Sequence, residues 1–220
     1  MRLFYVFYTE TCYNSTNCRL DLSKMKKPNN FQRIRELNYL QQASLAAAMI
    51  ERMLPNYVLF SEALEFGNAT ELRNVLNSLW EKLLLPKAKI SLEKLNEKVE
   101  LNTPDLKDFD MFGVYPAIDA CTALITLING MQQKEEANFV DVCKISQASV
   151  AKFIEYQLTT EGELADNSAL REHPLMNYEM GVLAELIDKV ESFQRIDKDS
   201  VKELKQLALA DGQSNIGIEC

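Results

Sequence analysis

Two short clusters carry the side chains best suited to chemistry. The first is Glu51-Arg52-Met53-Leu54-Pro55-Asn56-Tyr57, and the second is Asp108-Phe109-Asp110-Met111-Phe112-Gly113-Val114-Tyr115-Pro116-Ala117-Ile118-Asp119. Each sets charged and aromatic residues around a proline that suits the start of a helix. Asp119 falls in the first turn of the most apolar helix in the chain, where a buried carboxylate is costly without a partner. Two roles are open to it. In a structural role it faces free backbone N–H groups at the positive end of the helix, and Arg52 could complete it. In a chemical role it is an acid–base group or cation anchor in a pocket lined by Arg52, Tyr57 and Tyr115. Asn56 and Asp110 complete the candidate cluster. The spacing of Asp108, Asp110 and Asp119 suits no standard calcium loop, so no metal site is expected.

The rest of the inventory excludes more than it suggests. The one histidine, His173, rules out a zinc site built on two or three histidines. Position 170 is leucine, so a Glu-x-x-His di-iron motif is missing too. A Ser-His or Cys-His nucleophile would have to use His173, which lies in a loop-like stretch before a helix and is expected to face solvent. The five cysteines, Cys12, Cys18, Cys121, Cys143 and Cys220, include no Cys-x-x-Cys pair. An odd number in a chain of this size fits free thiols in a reducing cytoplasm. Cys121 and Cys143 occupy apolar helical positions and read as small hydrophobes. The seven glycines form no Gly-x-Gly, Gly-Lys or Gly-x-Ser-x-Gly, so the common dinucleotide, P-loop and hydrolase signatures are missing. No cofactor is expected.

Charge narrows the partners. Residues 1–35 carry seven basic and two acidic side chains, whereas residues 36–220 carry 17 and 30. An acidic body repels phosphate backbones, so duplex nucleic acid is not an expected partner. The basic run Lys24, Lys26, Lys27, Arg33 and Arg35 reads as a solvated segment or as a contact for an anionic partner. No run of 18 apolar residues occurs, so no transmembrane helix is expected.

The elements that must position the candidates are helical. Seven glycines and six prolines in 220 residues argue against sandwiches, barrels and glycine-rich loops. Leu37, Leu40, Leu45, Ala48, Met49 and Met53 approximate one apolar face, and Pro55 is expected to begin a new helix that ends at Gly67. Leu72, Val75, Leu76, Leu79 and Leu83 follow helical spacing, with Asn68 or Thr70 as cap and Pro86 as stop. Trp80 beside this stripe reads as half-buried core. A more polar helix spans 91–101, and residues 116–131 are apolar on nearly every side, the mark of a central helix. Further stripes begin at Phe139 and Met176, and a last helix spans 198–210. The expected fold is all-α: a single compact bundle of about seven helices around the central one, with an extended apolar tail at Asn215-Ile216-Gly217-Ile218. Residues 25–220 form one helical domain. Residues 1–24 read as a poorly structured extension or an upstream reading-frame start, with Met25 as the natural one.

At the two clusters the chain resembles the bacterial YjaG-like family, catalogued as a domain of unknown function. The resemblance rests on Glu51 to Tyr57, Phe66-Gly67, Leu79-Trp80-Glu81, Phe109-Asp110, Gly113 to Cys121 and Ser214-Asn215-Ile216-Gly217-Ile218. It runs from about Phe31 to Ile218 and implies an all-helical cytoplasmic protein. It implies no reaction, cofactor or partner.

The expected function is that of a cytoplasmic, non-catalytic interaction or regulatory module, with a protein or a second copy of itself as partner. The missing catalytic signatures, the lone histidine and the acidic helical surface support it. The alternative is a small-molecule binder or enzyme built on Arg52, Tyr57, Tyr115 and Asp119. An exposed apolar patch would favour the first, and a pocket that those four side chains reach would favour the second.

Overall fold

The computed structural model describes residues 29–209 and 212–219. The expectations for residues 1–24 lie outside the described residues. Among them the helices are α1 (Asn30–Glu36), α2 (Tyr39–Leu64), α3 (Ala69–Leu84), α4 (Leu92–Leu101), α5 (Val114–Gln133), α6 (Ala137–Glu161), α7 (Asn167–Glu172), α8 (Pro174–Ser192) and α9 (Lys198–Ala208). The all-α expectation holds. Side-chain caps fix most starts. Asn29 and Asn38 form capping boxes with Gln32 and Gln41, while Asn68, Ser91, Asp166 and Asp197 each accept a first-turn N–H.

Pro55 does not begin a helix; it lies inside α2. Proline removes the N–H that would meet the Glu51 carbonyl, a penalty that ordinarily breaks a helix. Burial outweighs it here, because every residue from Gln42 to Leu54 is buried. Packing therefore surrounds α2 on all sides, and α3, α5, α6, α8 and α9 all lean on it. The helix ends at Glu65, which adopts a left-handed conformation, two residues before Gly67.

The apolar segment at 116–131 is α5, and it packs against α2, α4 and α6. It is long and apolar enough to cross a membrane by composition, with a mean hydropathy of 1.3, but its inner face is core. Its outer face, unlike that of α2, is open: Tyr115 and Thr122 are exposed, and Ile118, Ile125 and Thr126 are half-buried. The helix starts at Val114, so Asp119 lies in its second turn and faces none of the free N–H groups of the first.

The C-terminal tail packs as expected but is folded, not extended. The Ser214 hydroxyl accepts the N–H groups of Ile216 and Ile218, and Ser214 N–H donates to the Ile218 carbonyl at 2.8 Å. This turn puts Ile216 into a small cluster with Val150, Ile154 and Met176, between α6 and α8.

Candidate functional site

The first cluster folds into the core and is engaged there. Arg52, 1% exposed, meets Glu179 on α8, also 1% exposed. Nε donates to Glu179 Oε2 at 2.9 Å, and Nη2 lies 2.8 Å from the same oxygen. Nη1 donates to the Ala208 carbonyl at 2.6 Å, so a cation closes the negative end of α9. The other carboxylate oxygen of Glu179 accepts the Ser146 hydroxyl at 2.9 Å. Asn215 in the tail turn joins the set: its amide donates to Ser146 Oγ at 3.1 Å, and its carbonyl oxygen accepts from Asn56 Nδ2 at 2.8 Å. Its backbone N–H donates to the Arg52 carbonyl at 3.1 Å, in the turn that Pro55 loosens. Arg52 and Asn56 thus belong to a buried polar lock that ties α2, α6, α8, α9 and the tail together. The ion pair itself is engaged at both carboxylate oxygens, which offsets its desolvation, whereas the Oδ1 of Asn56 is buried without a partner among the described residues.

The neighbours of Arg52 are engaged similarly. Glu51 is buried; its Oε1 accepts the indole N–H of Trp80 at 2.8 Å, and Arg73 bonds Oε2 from the rim. Trp80 is therefore fully buried rather than half-buried. Tyr57 donates to the Asn102 carbonyl at 2.7 Å, and burial pushes its phenol up from the ordinary value. Asn102 in turn accepts the Asn68 N–H at 2.6 Å and donates to Glu71, joining the α2–α3 turn to the end of α4. Gly67 closes this corner: its φ is +66°, and a Cβ there would stand 2.2 Å from the Tyr57 hydroxyl oxygen.

The second cluster straddles core and surface: Val114, Pro116 and Ala117 are buried, and its polar side chains make no hydrogen bond to Arg52, Asn56 or Tyr57. Asp119 does not pair with Arg52. It pairs with Lys152 of α6, whose ammonium donates to the two carboxylate oxygens at 3.0 and 3.2 Å. Asp110 is exposed. Tyr115, 43% exposed, belongs to a ring cluster with Phe112, Phe153 and Tyr156. Phe112 stacks on Tyr156 at 4.3 Å between centroids, and Tyr156 is 49% exposed. The six candidates thus fall into two groups: Arg52, Asn56 and Tyr57 in the core, and Asp110, Tyr115 and Asp119 around the start of α5, where Asp110 and Tyr115 are exposed and Asp119 is largely covered.

Several participants escaped the sequence reading. Glu179 was legible as an acid among Met176, Met180 and Leu183, a polar residue on an apolar stripe. Ser146 gave no signal. His173 is half-buried and caps α8, its Nδ1 accepting the Leu175 N–H at 3.2 Å. Burial pushes the thiols of Cys121 and Cys143 up to about 12, which leaves them protonated and poorly nucleophilic. Among the described residues, no group of three or more His, Cys, Asp or Glu is placed to hold a metal ion.

The comparisons with known proteins agree with this architecture. A family model described as "Protein of unknown function (DUF416)" matches residues 29–219. The chain belongs to the DUF416 family. Among its relatives, the Escherichia coli K12 protein described as "Uncharacterized protein YjaG" is 33% identical over 187 residues, 84% of this chain and 94% of that one. An uncharacterized Haemophilus influenzae protein is 33% identical over 190 residues, 86% and 95% of the two chains. The crystal structure of a DUF416 protein from Shewanella baltica shares 36% identity with a TM-score of 0.81, covering 88% of this chain and all of that one.

Proposed function

We propose that this DUF416 protein is a non-catalytic interaction module that self-associates through the outer face of α5. The observation that carries the reading is an uncharged stripe. From Val114 to Gln133 the sole ionisable side chains of α5 are Tyr115, Asp119 and Cys121. Asp119 is largely covered and paired, and Cys121 is buried. Solvent therefore meets Tyr115, Ile118, Thr122 and Ile125, where a surface helix ordinarily presents charge. The stripe continues onto the rings of Phe112 and Tyr156. Tyr115 and Tyr156 together leave roughly 200 Å² exposed, the scale of a contact centre within the ~800 Å² per partner of a stable interface. A second copy fits such a face: an uncharged apolar centre can match itself across a twofold axis.

The engaged state of the first cluster supports the non-catalytic part. Arg52 and Tyr57 spend their polar atoms on structural partners, so neither is available to a substrate without opening the core. The buried free thiols Cys121 and Cys143 fit the cytoplasm as the compartment. The test is sedimentation velocity on the full chain from about 1 to 100 µM, a range that brackets micromolar association. A concentration-dependent dimer that Thr122→Arg converts to monomer, with the circular dichroism unchanged, supports the reading. A monomer throughout the range overturns it.

A further inference from the structure

At the other end of α5 lies a groove of different character. Leu40 of α2, Leu83 of α3, Leu92 of α4 and Met131 of α5 help to form its apolar wall, and Lys82 and Lys134 are its charged lining residues. No acidic side chain lines it. The strand of chain along its edge is basic as well: residues 82–92 contain Lys82, Lys87 and Lys89 and no acid. The basic charge is confined to this lining and edge: Glu81, Glu93, Glu135 and Glu136 flank them, on a body where residues 36–220 carry 30 acidic and 17 basic side chains. The volume is about 390 Å³, and Leu40 in its wall stays 38% exposed. Lys82 donates to the Ala88 carbonyl at 2.8 Å, which ties the α3–α4 loop to the groove. Lys134 ends α5 in a left-handed conformation.

We propose that this groove docks an acidic amphipathic segment of a partner protein. Large apolar side chains of the segment would lie on the leucine and methionine floor, with its carboxylates against Lys82 and Lys134. Helix-in-groove recognition combines these two features. The charge gives specificity and encounter rate: a basic groove on an acidic body selects acidic partners that the rest of the surface repels. Met131 and Tyr115 are 16 residues apart on α5, roughly 24 Å along the helix, so the groove is a separate site from the aromatic end of the α5 face.

The experiment pans a random 12-residue peptide phage library on the full-length protein, then titrates a fluorescein-labelled copy of the most enriched peptide by anisotropy. Expected enrichment is Asp or Glu together with Leu, Phe or Met. Lys82→Glu/Lys134→Glu should weaken binding by about tenfold or more, two charge reversals of modest surface pairs. Both lysines also complement helix carbonyl ends, so unchanged thermal melting is required of that variant. Lys87→Glu/Lys89→Glu, on the loop alone, is expected to weaken binding about threefold, in line with weaker peripheral pairs. Thr122→Arg should leave binding within twofold, which separates this site from self-association. Enrichment of basic or uncharged peptides, no enrichment, or binding indifferent to the lysine reversals would overturn the proposal. Saturable binding of dodecanoate without peptide selection would assign the groove to a lipid carboxylate and overturn it equally.

Discussion

Glu179→Gln should be among the most damaging single-atom changes in this chain. The substitution keeps the shape of the side chain and removes its charge. Arg52 would then remain 1% exposed with no anion, left with the neutral amide oxygen in place of the carboxylate, the Ala208 carbonyl at 2.6 Å, the more distant Ser214 carbonyl and the face of the Tyr178 ring. Breaking a buried pair from one side costs about 3–5 kcal/mol, because the surviving charge stays desolvated. Domains of this size are stable by about 5–15 kcal/mol, so the loss is a large fraction of the total. Urea unfolding followed by circular dichroism reads it as a lower midpoint at unchanged slope. Arg52→Met/Glu179→Met removes both charges and should cost less than the sum of the single changes, by at least about 1 kcal/mol of coupling. A Glu179→Gln loss below about 1 kcal/mol, or strictly additive single and double variants, would refute the claim that this pair is a closed lock.

Other outcomes follow from the same geometry. Gly67→Ala should destabilise by at least about 1 kcal/mol, since φ is +66° and the new Cβ meets the Tyr57 hydroxyl; Tyr57→Phe should relieve part of it in the double variant, measured by urea midpoints. Iodoacetamide at pH 8 should leave Cys121 and Cys143 unmodified in native protein and label both in urea, as peptide mass spectrometry would show, since burial raises each thiol to about 12. Glu71 is held below its ordinary value by the Asn102 side-chain hydrogen bond and then by Lys98. A depressed folded value means stability that is present above the unfolded value of 4.5 and lost as pH falls through the folded one. Glu71→Gln should therefore flatten the acid limb of a stability–pH profile below pH 4.5, and a limb of unchanged steepness would contradict the assignment.

The helical class was legible because it depends on local pattern. The stripe Leu72, Val75, Leu76, Leu79 and Leu83 is buried as its spacing requires, and Asn68 caps its helix. Pro55 misled because its local penalty is real, whereas the packing that offsets it comes from five other helices. Asp119 was placed one turn too early: nothing side-chain-specific marks the start of α5, where Gly113 provides no capping side chain. Arg52 was picked out within the first cluster and matched with Asp119, but its partner Glu179 lies 127 residues away, and pairing at that range leaves no periodic trace. The tail was recognised as buried from Ile216, while its turn depends on the Ser214 hydroxyl, which composition does not reveal. Tyr115 was selected for its chemistry and lies as exposed aromatic surface beside Phe112.

The central claim is that the uncharged face of α5 joins two copies of the chain. Native mass spectrometry of the purified full-length protein, beside Thr122→Arg, tests it most directly. The account predicts a dimer for the wild type, without additional mass, and a monomer for the variant. A monomeric wild type, or a dimer that Thr122→Arg leaves intact, would contradict it.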